Sequence, residues 1–503
     1  MSTRLHTPQE AATWLRARVV GSLYADSRSV KKGDGFVAWP GAALDSRQYV
    51  NTVLDAGVTA CLVESSGAEA YCFSSAAVAV YPGLKNDAAL IAAEYFEFPS
   101  KQLQTIAVTG TNGKTSTVWW LAHALDKLSR KCGMVGTLGI GAPGAMVFNG
   151  LTTPDPVLLQ QQLRRFVNDG FVACAIEASS IGIVEQRLNG TSFQVAVFTN
   201  FTQDHLDYHG SMQSYWAAKA SLFGWAGLRS AVINIDDAKG LELSLQLKSS
   251  GLDLWTHAIN APARLQAQNI KQVAGSLTFD VVEGSQRETV STTSIGLYNV
   301  SNLLGVIGAM RSLGIALGDA ARACCDLPAV PGRLNTLGGV NAPLVVIDYA
   351  HTPDAMEKVL SALRPVAQSR GGQLWCVFGC GGDRDESKRP LMATSAQDNA
   401  DQIVVTSDNP RSESPDTIIR QILQGLTGHE TGRETRQELV HIQPDRALAI
   451  AQTIANAQSD DVVLLAGKGH ENYQDIKGIK YPFEDAVYAQ LALDLRQPAS
   501  CAS

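Results

Sequence analysis

The strongest constraint on the fold is a short apolar run that enters a glycine-rich turn and leaves it as a helix. Residues 105–110 read TIAVTG, a β-branched stretch typical of a buried strand. Residues 114–130 follow as KTSTVWWLAHALDKLSR, in which Val118, Leu121, Ala122, Leu125 and Leu128 recur at helical spacing. A strand, a tight turn and a helix in this order form half of a βαβ unit. The sequence therefore predicts a mostly parallel sheet.

Further apolar runs continue this rhythm in two series. The first series comprises FVACAI (171–176), FQVAVF (193–198) and LRSAVINI (228–235). The second comprises LVVID (344–348), LWCVFG (374–379), QIVVTS (402–407) and DVVLLAG (461–467). Helical stretches separate the runs within each series, as crossover connections between parallel strands require. Polar residues follow directly after these strands, where open α/β sheets bind their ligands.

The length of the chain calls for several domains. It has 503 residues, whereas a single domain usually has about 100–200. We predict an α/β fold with a smaller N-terminal α/β domain at residues 1–99, which ends near Pro99. A central P-loop-type domain at 100–336 would hold a mostly parallel sheet with flanking helices. A C-terminal, Rossmann-like α/β domain would span 337–503.

Charge and cysteine usage argue against several classes of protein. The formal charge of −7 provides no domain-wide basic surface, so we expect no nucleic-acid partner. Neither a signal-peptide segment nor an apolar run of membrane-spanning length occurs, so we expect no membrane insertion. The nine cysteines are scattered and form no CxxC motif, a pattern typical of reduced thiols. We therefore expect a cytoplasmic protein, acting as a monomer.

The turn at residues 109–116, TGTNGKTS, has the composition of a phosphate loop. Gly110 and Gly113 allow backbone N–H groups to face an anion, Lys114 supplies a charge, and Thr115 offers a hydroxyl to Mg²⁺. Val108 stands where the usual P-loop pattern has its first glycine, so the loop is a shortened variant. A plain glycine-rich turn with a surface lysine is the alternative. The strand–loop–helix context favours a nucleotide phosphate site.

Five segments around this loop resemble the ATP-dependent Mur ligases of peptidoglycan synthesis. They are Asp26–Arg28, Asn200–His209, Asp348–Pro353, Gly379–Asp385 and Gly467–Glu471, in this order along essentially the whole chain. The resemblance is closest to the members that add meso-diaminopimelate to UDP-N-acetylmuramoyl-L-alanyl-D-glutamate. It implies an ATP-dependent amide-bond ligase that proceeds through an acyl phosphate on the D-glutamate side chain. Its partners would be three small molecules: the UDP-N-acetylmuramoyl dipeptide, ATP and meso-diaminopimelate.

The resemblance also implies which residues serve ATP and Mg²⁺. The implied ATP-binding residues are Gly110, Thr111, Asn112, Gly113, Lys114, Thr115, Ser116, Asn299, Asn302, Arg333, Asp348 and His351. The implied catalytic residues are Lys114, Glu177, His205 and Lys219, and the implied metal ligands are Thr115, Glu177, His205 and a carbamylated Lys219. Oxygen ligands suit Mg²⁺, whereas imidazole is less usual for so hard an ion. A capping glutamate, a core histidine and a solvated lysine are the alternatives.

The nucleotide-peptide site is implied by hydroxyl residues and one arginine. The matching positions are Ser27, Thr152, Thr153, Ser179 and Arg187. Hydroxyl and guanidinium groups are suitable partners for sugar, amide and carboxylate groups. Two positions depart from the family pattern. Ile181 stands where family members commonly have His, and the segment around Ala42 lacks a polar residue often seen there.

The tetrapeptide DNPR (408–411) resembles that of the diaminopimelate-adding members and implies that the incoming amino acid is meso-diaminopimelate. Meso-diaminopimelate differs from lysine by a distal carboxylate, which a planar guanidinium can bind with two hydrogen bonds. The implied contacts are Arg389, Asp408, Asn409, Pro410, Arg411, Gly467 and Glu471. An ordinary strand-end turn with a surface arginine is the alternative for DNPR.

Three other functions compete with this interpretation. The chain could add lysine or another diamino acid, or it could extend a folate; the DSR segment and DNPR argue against both. It could also keep the fold as a nucleotide-binding module or inactive scaffold. The intact set of Lys114, Thr115, Glu177, His205 and Lys219 argues against this last possibility.

Overall fold

The computed structural model describes residues 3–41, 44–73, 75–273, 276–426 and 440–496. Ala42 and Cys501 lie outside these residues. Three sheets of five, eleven and six strands follow one another along the chain, and each is mostly or wholly parallel. The predicted α/β fold is therefore confirmed. The domain boundaries stay predictions; the third sheet begins at Asn335, two residues before the expected boundary at 337.

The first sheet is small and entirely parallel. Its elements are β1 (Thr3–Arg4), α1 (Pro8–Arg16), β2 (Leu23–Tyr24), β3 (Gly35–Ala38), α2 (Val50–Asp55), β4 (Ala60–Glu64), β5 (Val78–Tyr81) and α3 (Leu84–Tyr95). The strand order is β1-β5-β4-β3-β2. Helices α1 and α3 pack together, and their apolar side chains join one core beside the sheet. Helix α2 contributes Val50 and Val53 to a second core.

The central sheet has eleven strands. They are β6 (Gln104–Thr109), β7 (Cys132–Gly136), β8 (Gly139–Ala142), β9 (Ala145–Val147), β10 (Ala173–Glu177), β11 (Val195–Phe198), β12 (Ser230–Asn234), β13 (Asp253–Ala258), β14 (Leu265–Val273), β15 (Ser276–Glu283) and β16 (Gln286–Thr292). Their order is β16-β15-β14-β13-β12-β11-β6-β10-β7-β8-β9. The strands from β14 to β7 are parallel, and antiparallel strands extend both ends. Strand β6 lies between two parallel neighbours, β10 and β11, so the loop that follows it lies near the middle of the carboxyl edge of the sheet.

Helices cover both faces of this central sheet. They are α4 (Lys114–Lys127), α5 (Pro156–Asn168), α6 (Ser180–Val184), α7 (Leu206–His209), α8 (Met212–Ala220), α9 (Ala238–Gln246), α10 (Leu297–Ser312) and α11 (Leu317–Cys324). Ile106 and Val108 of β6 face the core beneath α4 and α10, whereas Ala107 faces the core on the α5 side. Because both faces are buried, the strand has a continuous apolar sequence instead of an alternating one.

The third sheet has six strands, with one antiparallel strand at its edge. The elements are β17 (Asn335–Gly338), β18 (Leu344–Asp348), α12 (Pro353–Arg370), β19 (Leu374–Phe378), α13 (Lys388–Asn399), β20 (Gln402–Val405), α14 (Pro415–Leu423), β21 (Val440–Ile442), α15 (Arg446–Asn456), β22 (Val462–Ala466) and α16 (Asp485–Arg496). The order is β17-β18-β22-β19-β20-β21. A separate hairpin consists of β23 (Tyr473–Ile476) and β24 (Ile479–Pro482).

Side-chain contacts join the three sheets into one molecule. Helix α5 holds the first unit, since Gln161 Nε2 donates to Ser22 Oγ at 2.7 Å. At the other side of the central sheet, Asn112 Nδ2 donates to Asp354 Oδ2 of α12 at 2.8 Å. The carboxyl ends of the central and C-terminal strands thus face one cleft. Within the described ranges, none of the helices is both long and apolar enough to cross a membrane.

Candidate active site

The loop after β6 has the backbone shape of an anion cradle. Gly110 and Gly113 adopt φ values of +147° and +87°, which side chains rarely tolerate. A Cβ on Gly113 would also collide with the amide of Asn302 on α10. Lys114 begins helix α4, and its Nζ donates to the carbonyl oxygens of Gly110 and Thr111 at 2.8 Å each. Burial lowers the pKa of Lys114, against the pull of Glu177.

Glu177 ends β10, the strand next to β6, and its carboxylate meets the phosphate loop. Thr115 Oγ1 donates to Glu177 Oε2 at 3.1 Å, and the backbone N–H of Thr137 donates to Oε1 at 2.8 Å. Burial raises the pKa of Glu177, while Lys114 opposes that rise. The structure therefore brings three sequence-predicted residues together. It adds Thr137, which the sequence alone did not single out.

These oxygens are suited to a magnesium ion. Mg²⁺ in phosphoryl-transfer sites usually takes one or two protein oxygens and completes its shell with water and substrate phosphates. Thr115 and Glu177 offer such a pair, 3.1 Å apart. Among the described residues, no group of three or more His, Cys, Asp or Glu side chains could hold a metal alone. A metal here would accordingly depend on phosphate oxygens as well.

Lys219 and His205 approach the same loop from α8 and the segment before α7. Lys219 is only 1% exposed, and its Nζ donates to Gly110 O at 2.7 Å above the ring of Tyr215. Burial and the neighbouring Lys114 lower the pKa of Lys219 well below its usual value. Burial lowers the pKa of His205 to about 4, so its imidazole is neutral near neutral pH.

Asp204 is a residue that sequence reasoning missed. Its carboxylate lies 3.4 Å from His205 Nε2, 3.8 Å from His351 Nε2 and 3.4 Å from Lys388 Nζ. Burial alone would raise the pKa of Asp204, but Lys388 and the two histidines outweigh it and hold the pKa below its usual range. Since His351 and Lys388 belong to the C-terminal unit, Asp204 connects two units at the site. Its position directly before His205 in the sequence could have identified Asp204 as a candidate site residue.

A cavity of about 1200 Å³ opens between the central and C-terminal sheets. Of the sequence-predicted ATP residues, it is lined by Asn112, Gly113, Ser116, Asn299, Asn302, Arg333 and Asp348. Asn302 Nδ2 donates to Asn299 Oδ1 at 3.3 Å on α10, so these two amides form one polar patch. His351 follows β18, where its Nδ1 lies 2.7 Å from Tyr349 O; burial lowers its pKa to about 4.

Arg333 stands where the two units meet. Its Nη2 is 3.5 Å from Thr115 Oγ1, and its guanidinium lies 4.7 Å from the ring centre of Tyr349. Arg333 forms no ion pair with any described residue, and its Nε is buried without a partner. Asp348 instead accepts the backbone N–H of Leu334 at 2.9 Å. A half-buried guanidinium without a carboxylate partner is well suited to an anionic ligand.

A second cavity, of about 1000 Å³, lies between the first unit and the β8–β9 hairpin. The loop at residues 24–29 forms one wall, so the predicted Ser27 stands between the lining residues Asp26 and Arg28. Arg28 is 88% exposed and pairs with Asp26 at 2.8 Å. Asp155 and Phe166, from the start and inner face of α5, line the opposite side.

The remaining nucleotide-peptide residues lie between this cavity and Glu177. Thr153 Oγ1 donates to Glu177 O at 2.8 Å and contacts Ser179 Oγ at 2.8 Å. Arg187 Nη1 donates to Thr153 O at 2.9 Å. Thr152 Oγ1 lies 3.1 Å from Thr137 Oγ1. The structure thus brings all four predicted residues into one cluster.

Ile181, the departure from the family pattern, lies on α6 beside this cluster. A histidine nevertheless approaches the serine pair from another element. His209, at the end of α7, places its Nε2 2.9 Å from Ser180 Oγ. No sequence pattern connects these two residues, which lie 29 positions apart.

Most of the predicted amino-acid contacts lie just after the ends of β20 and β22. We call the two segments Asp408–Arg411 and Gly467–Glu471 the amino-acid station. Asn409 Nδ2 donates to Glu471 Oε2 at 2.7 Å. Arg411 has φ +50° and donates from Nη1 to Gly382 O at 2.6 Å, and it forms no ion pair with any described residue. Burial, with Asp408 adding to it, raises the pKa of Glu471.

Arg389 differs from the other predicted contacts. Its side chain is 0% exposed, and its two Nη atoms each donate to Glu413 at 2.8 Å. Gln421 Oε1 and Gly381 O accept further hydrogen bonds. The structure therefore brings Arg389 near the station but engages its guanidinium within the protein. Its role as a diaminopimelate ligand stays a prediction.

Comparison with protein-family models gives two matches. The Mur ligase middle domain matches residues 108–310, and the Mur ligase, glutamate ligase domain matches residues 332–469. Together these ranges contain the phosphate loop, Glu177, Lys219, Arg333 and DNPR.

Full-length relatives extend the similarity. The chain is 53% identical over 499 residues to a UDP-N-acetylmuramoyl-L-alanyl-D-glutamate–2,6-diaminopimelate ligase from Acidovorax sp. (strain JS42), covering 98% of each chain. A solved structure of a ligase with the same name is 33% identical, with a TM-score of 0.62 over 94% of this chain and 95% of that one. The MurF ligase of Thermotoga maritima in complex with ADP has a similar fold at 17% identity, with a TM-score of 0.67 over 95% and 98%.

Proposed function

The chain belongs to the Mur ligase family, and we propose that it is the ATP-dependent ligase that adds meso-diaminopimelate to UDP-N-acetylmuramoyl-L-alanyl-D-glutamate in peptidoglycan precursor synthesis. The main structural support for this proposal is a series of contacts that connects the phosphate loop with the amino-acid station. Arg333 lies 3.5 Å from Thr115 of the phosphate loop and stacks on Tyr349. The ring of Tyr349 lies 5.3 Å from that of His470, the residue before Glu471. Phosphate chemistry and amino-acid binding therefore share one cleft.

The reaction joins an acid to an amine in two steps. The D-glutamate side-chain carboxylate takes the γ-phosphoryl group of ATP, which releases ADP and forms an acyl phosphate. The amine of meso-diaminopimelate then attacks the acyl carbon, the C–O bond to phosphate breaks, and an amide, a proton and inorganic phosphate result. Such phosphoryl transfer depends mainly on positioning and charge neutralisation. Lys114 and Arg333 are the cations in place to stabilise the transferred group.

Thr115 and Glu177 would hold Mg²⁺, which when bound supplies charge neutralisation to the phosphates. His205 and Lys219 are proposed as further ligands by family resemblance. Burial lowers the pKa of the Lys219 amine, which favours the neutral form that adds CO₂. The product, a carbamate with loss of one proton, would give the site a carboxylate-like group. Thr152, Thr153, Ser179 and Arg187 would orient the peptide so that its carboxylate faces this group.

Selection of meso-diaminopimelate would depend on Arg411. Its guanidinium has no carboxylate partner in the described structure, so it can bind the distal carboxylate with two hydrogen bonds. Glu471 would accept from an ammonium group of the same amino acid. Lysine lacks the distal carboxylate and would leave Arg411 unpaired, which costs binding energy.

Phosphate release measured with ATP, Mg²⁺, the UDP-muramoyl dipeptide and one amino acid at a time tests the proposal. We expect release only when peptide and meso-diaminopimelate are both present. Release that is independent of peptide and amino acid would contradict a ligase function. Equal release with lysine would contradict the role of Arg411 while leaving ligase activity intact. The monomeric state and the cytoplasmic location expected from the sequence stay predictions.

A further inference from the structure

Lys468 is a buried cation within the amino-acid station, although it is not one of the predicted contacts. Its side chain is 0% exposed, and its Nζ lies 3.0 Å from Asn409 Oδ1 and 3.1 Å from Glu471 Oε2. Asn409 Nδ2 donates to the same Oε2 at 2.7 Å. The three side chains therefore form a closed triangle of hydrogen bonds. Two of its members, Asn409 and Glu471, are proposed contacts of the incoming amino acid, and the third is not.

The backbone on both sides of Lys468 has a conformation that requires glycine. Gly467 and Gly469 have φ values of +112° and +54°. A Cβ on Gly467 would lie 2.5 Å from Asp408 Oδ2, and one on Gly469 would lie 2.7 Å from Tyr349 Cβ. No side chain fits at either position without a shift. The observed path of the loop therefore requires glycine at both positions, and on this path the lysine side chain lies inward against Asn409 and Glu471.

The triangle leaves one oxygen of Glu471 available. Oε2 accepts from both Asn409 and Lys468, whereas Oε1 accepts no hydrogen bond from the described residues. The Glu471 side chain is 16% exposed, so it reaches the opening of the station. A carboxylate held by one oxygen presents the other in a fixed direction, which suits an ammonium donor.

The charge of Lys468 also opposes the rise in the pKa of Glu471 that its surroundings cause. Burial and the neighbouring carboxylate of Asp408 raise the pKa of Glu471, while Lys468 and Asn409 lower it. Arg446, Tyr349 and Tyr473 also face Glu471. Removing Lys468 would therefore let Glu471 take up a proton at higher pH, and a protonated carboxyl group is a poorer acceptor for an ammonium group.

We propose that Lys468 is a positioning residue, which holds Oε2 of Glu471 and the amide of Asn409 so that Oε1 receives an ammonium group of the incoming amino acid. This role rests on the proposed function. Lys468 is not among the proposed contacts of any of the three substrates, and the proposal assigns the lysine of the GKGHE segment a role in amino-acid selection.

The test compares Lys468→Met and Lys468→Gln with Lys468→Arg, which keeps the charge. Lys480→Met is the matched control, since Lys480 lies 4.1 Å from the ring of Tyr473 but is exposed and bonds neither Asn409 nor Glu471. The apparent KM for meso-diaminopimelate should rise about tenfold or more in the two neutral variants, with smaller changes for ATP and the dipeptide. The acid limb of kcat/KM for meso-diaminopimelate should move to higher pH. Lys468→Arg should leave that limb in place.

A double variant isolates the mechanism. If Lys468 acts through Glu471, Lys468→Met combined with Glu471→Gln should lose no more kcat/KM for meso-diaminopimelate than Glu471→Gln alone. Equal KM increases for all three substrates, or an unmoved acid limb, would overturn the positioning role. So would neutral variants that fail to fold while Lys468→Arg is fully active, because the charge would then stabilise the fold. Failure of the wild type to use meso-diaminopimelate would instead contradict the proposed function.

Discussion

Three arginines of the site differ from a fourth in having no carboxylate partner. Arg187, Arg333 and Arg411 form no ion pair with the described residues and donate mainly to carbonyl or hydroxyl oxygens. Arg389, by contrast, donates from both Nη atoms to the carboxylate of Glu413. An unpaired guanidinium near a cleft favours an anionic ligand. The pairing state of each arginine therefore separates sites for ligands from a contact that the fold already uses.

Arg411→Ala should raise the apparent KM for meso-diaminopimelate by about 10–100-fold, with a much smaller change for ATP, because a charged hydrogen-bonding group contributes about 1.5–3 kcal/mol. Phosphate release at varied substrate concentrations measures both constants. Arg384→Ala is the control, since Arg384 is an exposed arginine of the neighbouring loop. If KM for ATP rises as much as KM for the amino acid, Arg411 has a structural role instead.

For single residues, the sequence predicted where a side chain lies in the fold better than which side chain it pairs with. The strand-end rule placed Glu177 beside the phosphate loop, because β10 and β6 are adjacent parallel strands. It could not reveal that Arg389 is occupied, since Glu413 comes from 24 residues further along the chain. Lys468 was overlooked because a lysine between two glycines is usually a surface residue. Its inward position depends on hydrogen bonds to Asn409, 59 residues away in the chain, and to Glu471.

Among the elements, helices α15 and α16 hold the strand ends that carry the amino-acid station. Arg446, at the start of α15, donates to Asp485 of α16 at 2.7 and 2.8 Å, and both side chains are 0% exposed. The same guanidinium donates to Ser407 O and Ala466 O, directly before DNPR and GKGHE. One buried pair thus ties two helices to β20 and β22.

Arg446→Met should lower the free energy of unfolding by about 3–5 kcal/mol, because it leaves the carboxylate of Asp485 buried without a partner. Urea unfolding followed by circular dichroism measures the loss. Replacing both partners, with Arg446→Met and Asp485→Leu, should recover part of it. The exposed pair Arg165–Asp169 provides the control, and Arg165→Met should cost about 0.5 kcal/mol or less. Similar losses in both single variants would contradict this role.

Strand β13 carries a buried histidine that should make stability depend on pH. His257 is 1% exposed, neither ring nitrogen has a partner in the described structure, and burial lowers its pKa to about 3. The unfolded chain binds a proton near its ordinary pKa of about 6.5, so stability falls as the pH drops below that value.

By about pH 5 this histidine should have cost about 2 kcal/mol relative to neutral pH. His257→Leu should therefore lose less stability than the wild type between these two conditions, as measured by urea midpoints. His441→Leu, at an exposed position of β21, should keep the pH dependence of the wild type. An unchanged pH dependence in His257→Leu would show that other groups cause the loss.

The element pattern was predictable where strands are buried on both faces. The runs at 105–110, 344–348 and 402–407 correspond to β6, β18 and β20. Strands β14 to β16, which pair antiparallel with one another, were not predicted, because the residues of β15 and β16 mostly alternate between buried and exposed and form no long apolar run. A sheet with one open face has that alternating pattern.

For the whole molecule, the contacts between the central and C-terminal units decide whether the site is complete. Asp204 and Lys388 are both largely buried and lie 184 residues apart in sequence. Asn112 of the phosphate loop likewise donates to Asp354 of α12. No local pattern identifies such partners, since they meet only when two separate sheets face each other. This explains why the sequence predicted three units but not how they are joined.

Lys388→Met should lower kcat by about tenfold or more, since it removes one partner of a buried ion pair that joins the units. The KM for the dipeptide, whose proposed contacts lie elsewhere, should change little. Phosphate release measures both, and small-angle scattering with ATP present should detect a larger radius of gyration. Lys477→Met, at an exposed turn, is the control. An unchanged kcat would mean that the Asp204–Lys388 pair does not limit assembly of the site.

The amino-acid station is built from two short loops of one unit, whereas the phosphate loop and Glu177 belong to another. The proposed contacts for the amino acid and for phosphate therefore come from separate units, although they face one cleft. Grafting residues 407–412 and 467–472 from a relative with a different acceptor should transfer its preference, provided that Arg446 still anchors both loops. A protein divided in this way can change the amino acid that it adds without changing the residues that bind ATP.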